Sequence, residues 1–431
     1  MNPALMPYLT RVLSSDGLKA TRRGAHELVR RLSGKDHRLQ VFLRADDPYS
    51  YLLVQVLDRL PARFDVTMNC HTVLHQQTDM YPEPALWARN ACYDAAHLAE
   101  LYGLDFAICQ PELFPQRVEQ ATAALLAAEA QEDFLHQARG ILGLLWQSPD
   151  APIPALASLD DLPIRKRLAA NEALLARLGH YFSAMIHYGG EWYWGLDRLD
   201  HLERRLINLG LARSAEPTVQ FDKTYRDFCR RRRPAHSPAG HPLVLYWSAR
   251  SPYSHIALVR SVELARFHDI ELQIKPVMPM MMRGMNVPKT KKMYIFHDTK
   301  READKLGVPY GFVADPLGPA VERCYALLDY ARSQARLTAF LLSFAHGVNA
   351  EGIRAETDAG LARIVRRAGL DWEQALPLLA REDWRKEVAA NLEEMLALGF
   401  WGVPSFRYGD HRFWGQDRLG LIEKAILREG T

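Results

Sequence analysis

The sequence predicts an α/β protein made of two tandem copies of one domain, each running β-α-β, a helical insertion, then β-β-α. Three observations carry that reading. The chain repeats itself at a nearly fixed offset. Short strand-like apolar runs alternate with long stretches of helical spacing. The 431 residues also exceed one ordinary domain of about 100–200 residues.

The repeat opens where Val41-Phe-Leu-Arg-Ala-Asp-Asp-Pro-Tyr-Ser50 aligns with Leu245-Tyr-Trp-Ser-Ala-Arg-Ser-Pro-Tyr-Ser254, an offset of 204 (251 − 47). The same offset pairs Asp65 with Asp269, Val73 with Val277, Asp94 with Asp298 and Gly103 with Gly307. A second block closes each half. Residues 178–199 and 398–419 agree at nine of 22 positions, including a W-G-x-D-R-L frame, at an offset of 220 (398 − 178). The second copy thus carries 16 extra residues (220 − 204) between the blocks.

The boundaries follow: an N-terminal helical extension over 1–38, a first domain over 39–228, a linker over 229–242 and a second domain over 243–431. The linker, with four consecutive arginines after Cys229 and three prolines, reads as a solvated connector or as a basic contact. Leu5, Tyr8, Leu9, Val12 and Leu13 have amphipathic helical spacing, so a helix is expected there, packed on the first copy.

In the second copy, Leu243–Trp247 is an apolar strand and Ser251-Pro-Tyr-Ser opens a helix to about Phe267. Glu271–Pro276 is the next strand, parallel to the first by the right-handed crossover rule. Helical spacing fills 317–397, with breaks expected at Gly347, Gly352 and Gly369. Phe406–Phe413 is a hairpin about Gly409-Asp410, and Leu419–Leu427 the last helix. That order describes a thioredoxin-like fold with an inserted helical domain.

Composition excludes several classes. The chain is 48% hydrophobic and 24% charged, with 54 Lys+Arg against 51 Asp+Glu. A net charge of +3 gives no field that calls for nucleic acid or an anionic membrane. Cys70, Cys92, Cys109, Cys229 and Cys324 form no C-x-x-C and no metal-ligand spacing, so free thiols and no bound metal are expected. The start of the chain shows no basic region followed by an apolar run, and no apolar run approaches the ~20 residues of a membrane span. A cytoplasmic location is expected.

Four groups of residues can carry chemistry. Ser251 stands at the first helix start, where it reads either as an N-cap or as a hydroxyl aimed at an anion favoured by the helix end. Val403-Pro404, leading into a strand, suits a cis turn that exposes the backbone of Val403. Asp417, in F-W-G-Q-D-R-L, either caps the last helix or accepts an ammonium. G-M-N-V-P, with Asn286, precedes Lys291-x-x-Tyr294 and Asp298-x-x-Arg301, the last being an i,i+3 spacing that fits a surface pair. Met280, Met281 and Met282 read as core or as a pliable pocket wall.

In this order the elements S-P-Y-S, K-P-V, G-x-N-x-P, K-x-x-Y, D-x-x-R-x-A, G-V-P-S-F and F-W-G-Q-D-R-L resemble one family. Residues from about 241 to 428 look like the 2-hydroxychromene-2-carboxylate isomerases and kappa-class glutathione transferases, DsbA-like members of the thioredoxin superfamily. The resemblance implies a glutathione-dependent isomerase of small aromatic or conjugated electrophiles, as in aromatic catabolism, with Ser251 holding the glutathione sulfur as thiolate. It implies glutathione contacts from Asn286, from Val403 beside Pro404, and from Gln416 and Asp417. Tyr253, Lys275, Lys291 and Tyr294 would face the substrate pocket. A kappa-type transferase or peroxidase, a DsbA-like oxidoreductase relative without redox activity, and a non-catalytic scaffold are the competing readings.

The first copy keeps the frame and changes the chemistry: Asp47 for Ser251, Ala184 for Pro404, Met185 for Ser405, His71 for Lys275, Trp87 and Asn90 for Lys291 and Tyr294, and Leu196 for Gln416. An ionised Asp47 would oppose a thiolate by roughly 4 kcal/mol at ~4 Å and an effective dielectric of ~20. One glutathione per chain is therefore expected, with the two copies forming an intramolecular counterpart of the homodimers such relatives make.

Overall fold

The computed structural model describes residues 4–75, 80, 83–106, 113–232 and 240–429. Cys109 and residues 233–239 of the linker lie outside the described residues. The chain divides into two compact units, Ala20–Arg226 and a second made of Met1–Lys19 with Asp227–Thr431.

In the first unit, β1 (Arg38–Leu43) leads through the helix Pro48–Val54 and the short helix Arg59–Arg63 to β2 (Thr67–Thr72). The insertion contains the helices Pro84–Tyr102, Pro115–Ala128, Phe134–Gln147 and Leu162–Leu178. A hairpin of β3 (Met185–Tyr188) and β4 (Glu191–Trp194) and the helix Leu199–Asn208 close it.

The second unit repeats the plan. β5 (Leu243–Trp247), the helix Pro252–His268 and β6 (Leu272–Pro276) come first. Helical segments run from Lys289–Leu306 to Trp384–Ala397, and β7 (Ser405–Tyr408), β8 (His411–Trp414) and the helix Leu419–Glu429 end it. Both sheets have the same order, β2-β1-β3-β4 and β6-β5-β7-β8, with one parallel pair and two antiparallel pairs each. These are two thioredoxin-like folds, each with a helical insertion.

β5 is apolar because it is buried at all five residues, with helices on both faces of the sheet. Tyr246, Val244, Val277, Met395 and Phe400 make the core on one face. The loop after β5 is fixed from the insertion. The Tyr325 hydroxyl accepts from the Ala249 N–H (3.1 Å) and donates to the Val277 carbonyl (2.8 Å).

Two expectations need correction here. Gly347 does not break its helix but lies inside Leu337–Ala350. A Cβ there would meet Arg367, Ile364 and Ile353 at 3.1–3.3 Å, so glycine permits close packing on the next helix, Asp358–Arg367. The N-terminal helix Met6–Leu13 packs on the second copy, not the first. Tyr8 rests on Phe312 (5.4 Å between rings), and Thr10 and Ser14 bond the backbone of Val313 and Gly311. Its apolar spacing predicted a helix but could not name the surface that pairs with its hydroxyls.

Tyr325→Phe should cost the second unit about 1–3 kcal/mol, because a buried N–H and a buried carbonyl lose their shared partner. Denaturant midpoints of wild type and variant measure it, and equal midpoints would refute that role.

Candidate functional site

The site starts at the end of β5. The chain turns through Ser248-Ala-Arg and enters the helix at Pro252, whose missing N–H costs nothing in the first turn. Ser251 is the N-cap, with an extended backbone (φ −74°, ψ 119°), and its Oγ accepts from the Ser254 N–H at 3.2 Å. Its proton faces the Val403 carbonyl at 3.5 Å, a distance too long for a strong bond, so the hydroxyl keeps donor capacity for another acceptor. Ser254 is fully buried and bonds the Ser248 N–H. Of the two serines that stand where a C-x-x-C would, only Ser251 is partly open.

The Val403–Pro404 peptide is cis, as the sequence suggested. Because β7 runs antiparallel to β5 with Tyr246 opposite Ser405, this loop meets the end of β5 and the helix start. The Pro404 carbonyl accepts from the Gly415 N–H at 2.9 Å, which brings the turn before Gln416 and Asp417 to the same loop. Trp401 and Trp414 stack beside it, 5.1 Å between rings. Their indole N–H groups are buried and have no hydrogen-bond partner among the described residues. The Lys291 ammonium lies 5.7 Å from the Trp401 ring centre, on a side chain that is almost wholly buried.

The helix Lys289–Leu306 carries a buried polar face that spacing alone did not reveal. Asp298 is 2% exposed, accepts from the Tyr253 hydroxyl at 2.6 Å and pairs with Arg301. The expected surface pair is thus a buried one, because the helix turns this side toward Pro252–His268. One turn on, Glu302 pairs with Lys305 (2.9 Å) and accepts from the Gln416 amide (2.8 Å). The same amide donates to Asp417 (2.7 Å), and the Gln416 oxygens take Arg260. Burial, opposed by Asp417 and Glu302, pulls the Arg260 guanidinium below its usual range. Gln416 is 1% exposed, so its amide is spent inside the protein and it sets the position of the half-buried Asp417. Arg260 and Glu302 were missed by sequence reasoning. Glu302 could have been found, four residues after Asp298 on the same helical face.

Other candidates lie apart. Lys275 pairs with Glu394, which also accepts from Tyr246 (2.7 Å). Asn286 is exposed, and Tyr294 is half-buried, one turn from Lys291. Met280, Met281 and Met282 are not core. They form a partly exposed 3-10 turn, since Pro279 and Gly284 end the regular structure around them. Burial pushes the thiols of Cys70 and Cys229 up to about 12, and that of Cys324 up as well. No described cysteine contacts Ser251 or Val403.

The family model described as a DSBA-like thioredoxin domain matches residues 243–427. Those residues are a DSBA-like thioredoxin domain. A 2-hydroxychromene-2-carboxylate isomerase of Sphingobium xenophagum is 28% identical over 192 residues, covering 42% of this chain and 96% of that protein. One of Pseudomonas putida is 26% identical over 195 residues, covering 42% and 93%. Among solved structures, a 2-hydroxychromene-2-carboxylate isomerase is 23% identical with a TM-score of 0.39, covering 43% of this chain and 95% of its own. A probable DsbA oxidoreductase of Streptomyces coelicolor is 18% identical with a TM-score of 0.35, covering 44% and 89%.

The first repeat shows what the DSBA-like domain has kept. Tyr49 donates to Asp94 (2.8 Å) just as Tyr253 donates to Asp298. At the helix start, however, Asp47 is 1% exposed and accepts from the Tyr49 N–H (3.1 Å), Ser50 (3.0 Å) and Ser183 (2.7 Å). Burial raises its carboxyl above the usual range, against Arg44 and the two serines. Asp47, expected as an ionised group opposing a thiolate, is a buried acceptor closed in by the protein's own donors. Ser183 and Ala184 are buried too.

Asp298→Ala should destabilise the DSBA-like domain by about 3–5 kcal/mol, since it strands a buried guanidinium and hydroxyl. Tyr253→Phe should cost only about 1 kcal/mol. Chemical denaturation ranks the two, and near-equal small losses would show the network to be weak.

Proposed function

We propose that the chain is a glutathione-dependent isomerase of small aromatic or conjugated electrophiles, akin to the 2-hydroxychromene-2-carboxylate isomerases, working at one site in its second half. The observation that carries this is the Ser251 hydroxyl at a helix start, 3.5 Å from the carbonyl of Val403 beside Pro404. The isomerase names of the two relatives support the reading. Two serines in place of a C-x-x-C weigh against disulfide exchange.

The residues fit glutathione. Two buried indole donors, on Trp401 and Trp414, have no partner among the described residues, and the Asn286 amide is exposed. Bound glutathione would supply a nucleophilic thiolate for a conjugated substrate and would not be consumed. Ser251 donates a hydrogen bond to that anion, contributing about 1.5–3 kcal/mol, and the helix end adds about 0.3–1 kcal/mol. Val403 offers its backbone to the extended tripeptide, and Asn286 a second contact. Asp417, positioned by Gln416, which Glu302 and Arg260 hold in turn, would face the ammonium end. Lys291 and the half-exposed methionines 280–282 border the second substrate.

Ser251→Ala should raise the apparent pKa of the bound glutathione thiol by roughly one to two units. Fold stability should fall only by about 1 kcal/mol, for the lost cap. Ultraviolet thiolate absorbance against pH reads the shift, and an unmoved titration would reject Ser251 as the sulfur's partner.

Calorimetry with glutathione should give one site per chain, indifferent to Asp47→Ala, because Asp47 is sealed by its own donors. Two sites, or an inactive Asp47→Ala protein, would make the first repeat a working site.

A further inference from the structure

The first repeat has a cavity of about 840 Å³ that lies wholly within Ala20–Arg226. Its floor is one face of the sheet, where Gln40 sits opposite Asn69 and His187 and one pair from His71. Leu174 and Leu178 wall it, and the helix Asp16–Leu32 covers it through Arg23, His26 and Arg30. Arg38 and Gln40 begin β1, whereas Asp47 follows its end, so the cavity and the closed site occupy opposite ends of the strand.

The second repeat is the internal control. At the aligned positions it has Tyr246, Lys275, Arg407 and Glu394, for Phe42, His71, His187 and Leu174. There Lys275 and Tyr246 bond Glu394, and Arg407 lies 3.9 Å from it. The first repeat has replaced that self-satisfied ion cluster with two imidazoles and a leucine. His71 is held between Gln40 (2.6 Å) and Asn171 (3.2 Å), so its ring is fixed. His187 lies tilted against Trp192, 4.7 Å between ring centres, and among the described residues its ring nitrogens have no hydrogen-bond partner. Burial, with His26 and Arg205 nearby, brings it down to about 4, so it is a neutral ring.

The rim is cationic. Glu27 is taken by Arg30 and Arg31, and Asp36 lies 4.0 Å from Arg38. Lys35 has no carboxylate partner among the described residues. An apolar wall, imidazole rings on the floor and a rim with more basic than acidic side chains define one ligand chemistry. We propose that this cavity is a second ligand site, for an aromatic carboxylate lying flat between His187 and Leu174 with its carboxylate at Lys35 and Arg38. The site uses a helix outside the repeated domain and does not depend on glutathione.

The test is calorimetry of the full chain with 2-naphthoate and with uncharged 2-naphthamide. Naphthoate should bind once per chain, and the amide about tenfold or more weaker. Leu174→Trp, which fills the cavity, and the rim double variant Lys35→Glu/Arg38→Glu should each weaken naphthoate about tenfold, while Ser251→Ala leaves it unchanged. If Leu174→Trp fails to fold, the rim variant carries the same test. No naphthoate binding at millimolar concentration, equal affinity for the amide, an unaffected rim variant, or loss on Ser251→Ala would overturn the proposal. Loss of glutathione binding alone would bear only on the site in the second half.

Discussion

Everything at the candidate site depends on the pairing of β5 with β7. β5 ends at Trp247, a few residues before Ser251, and Tyr246 stands opposite Ser405. Antiparallel pairing therefore returns the chain, 152 residues later (403 − 251), to the point where the first helix begins. The intervening helices can vary in length without moving this junction, since the sheet register alone sets it. That explains how the second copy tolerates 16 more residues than the first between its blocks. Tyr325, together with the pairing of Arg250 with Asp315 (2.8 Å), ties the insertion to the loop after β5.

The duplication separates frame from chemistry. Both copies keep the sheet order, the Tyr–Asp bond between the first helix and the next, and the hairpin leading to D-R-L. They part at the positions where a ligand would enter. Ser251 bonds one backbone N–H and retains a proton to give, while Asp47 accepts three donors and has none in reserve. A carboxyl can accept at four lone pairs and, ionised, donates nothing, so the substitution turns a donor site into a closed cap. Away from the helix start the change runs the other way. The second copy fills its outer sheet face with an ion cluster, whereas the first opens a cavity there.

Much of this was legible in the sequence. The strands, the turn at Ser251, the parallel pair, the hairpin at Gly409 and the cis Pro404 all follow from local chemistry: apolar period, proline position and glycine turns. Partners were less legible. The spacing of Asp298 and Arg301 describes one helical face but not which neighbour that face meets, so a buried pair read as a surface one. Gln416 looked like a ligand contact because its motif did, yet its amide is spent on Glu302, 114 residues away. Such partners are set by the tertiary arrangement of helices, which periodicity does not encode. The same gap placed the N-terminal helix on the wrong copy, and left Met280, Met281 and Met282 open between core and pocket wall, where Pro279 and Gly284 hold them in a partly exposed turn.

The buried network behind Asp417 bears on why so polar a cluster is kept. Asp298, Glu302 and Asp417 face Arg260, Arg301 and Lys305, three charges of each sign. Apolar side chains of equal size would fill the same space at no loss of stability, since charges taken from water repay their desolvation only with full pairing. What apolar packing cannot do is fix the direction of a carboxylate at a rim. Each member here has a directional partner, ending at the Gln416 amide on Asp417. The network therefore makes sense as a device for orientation. Its cost falls on the folding of the second unit, and its effect is felt at Asp417, a half-buried acidic group beside the Pro404 loop.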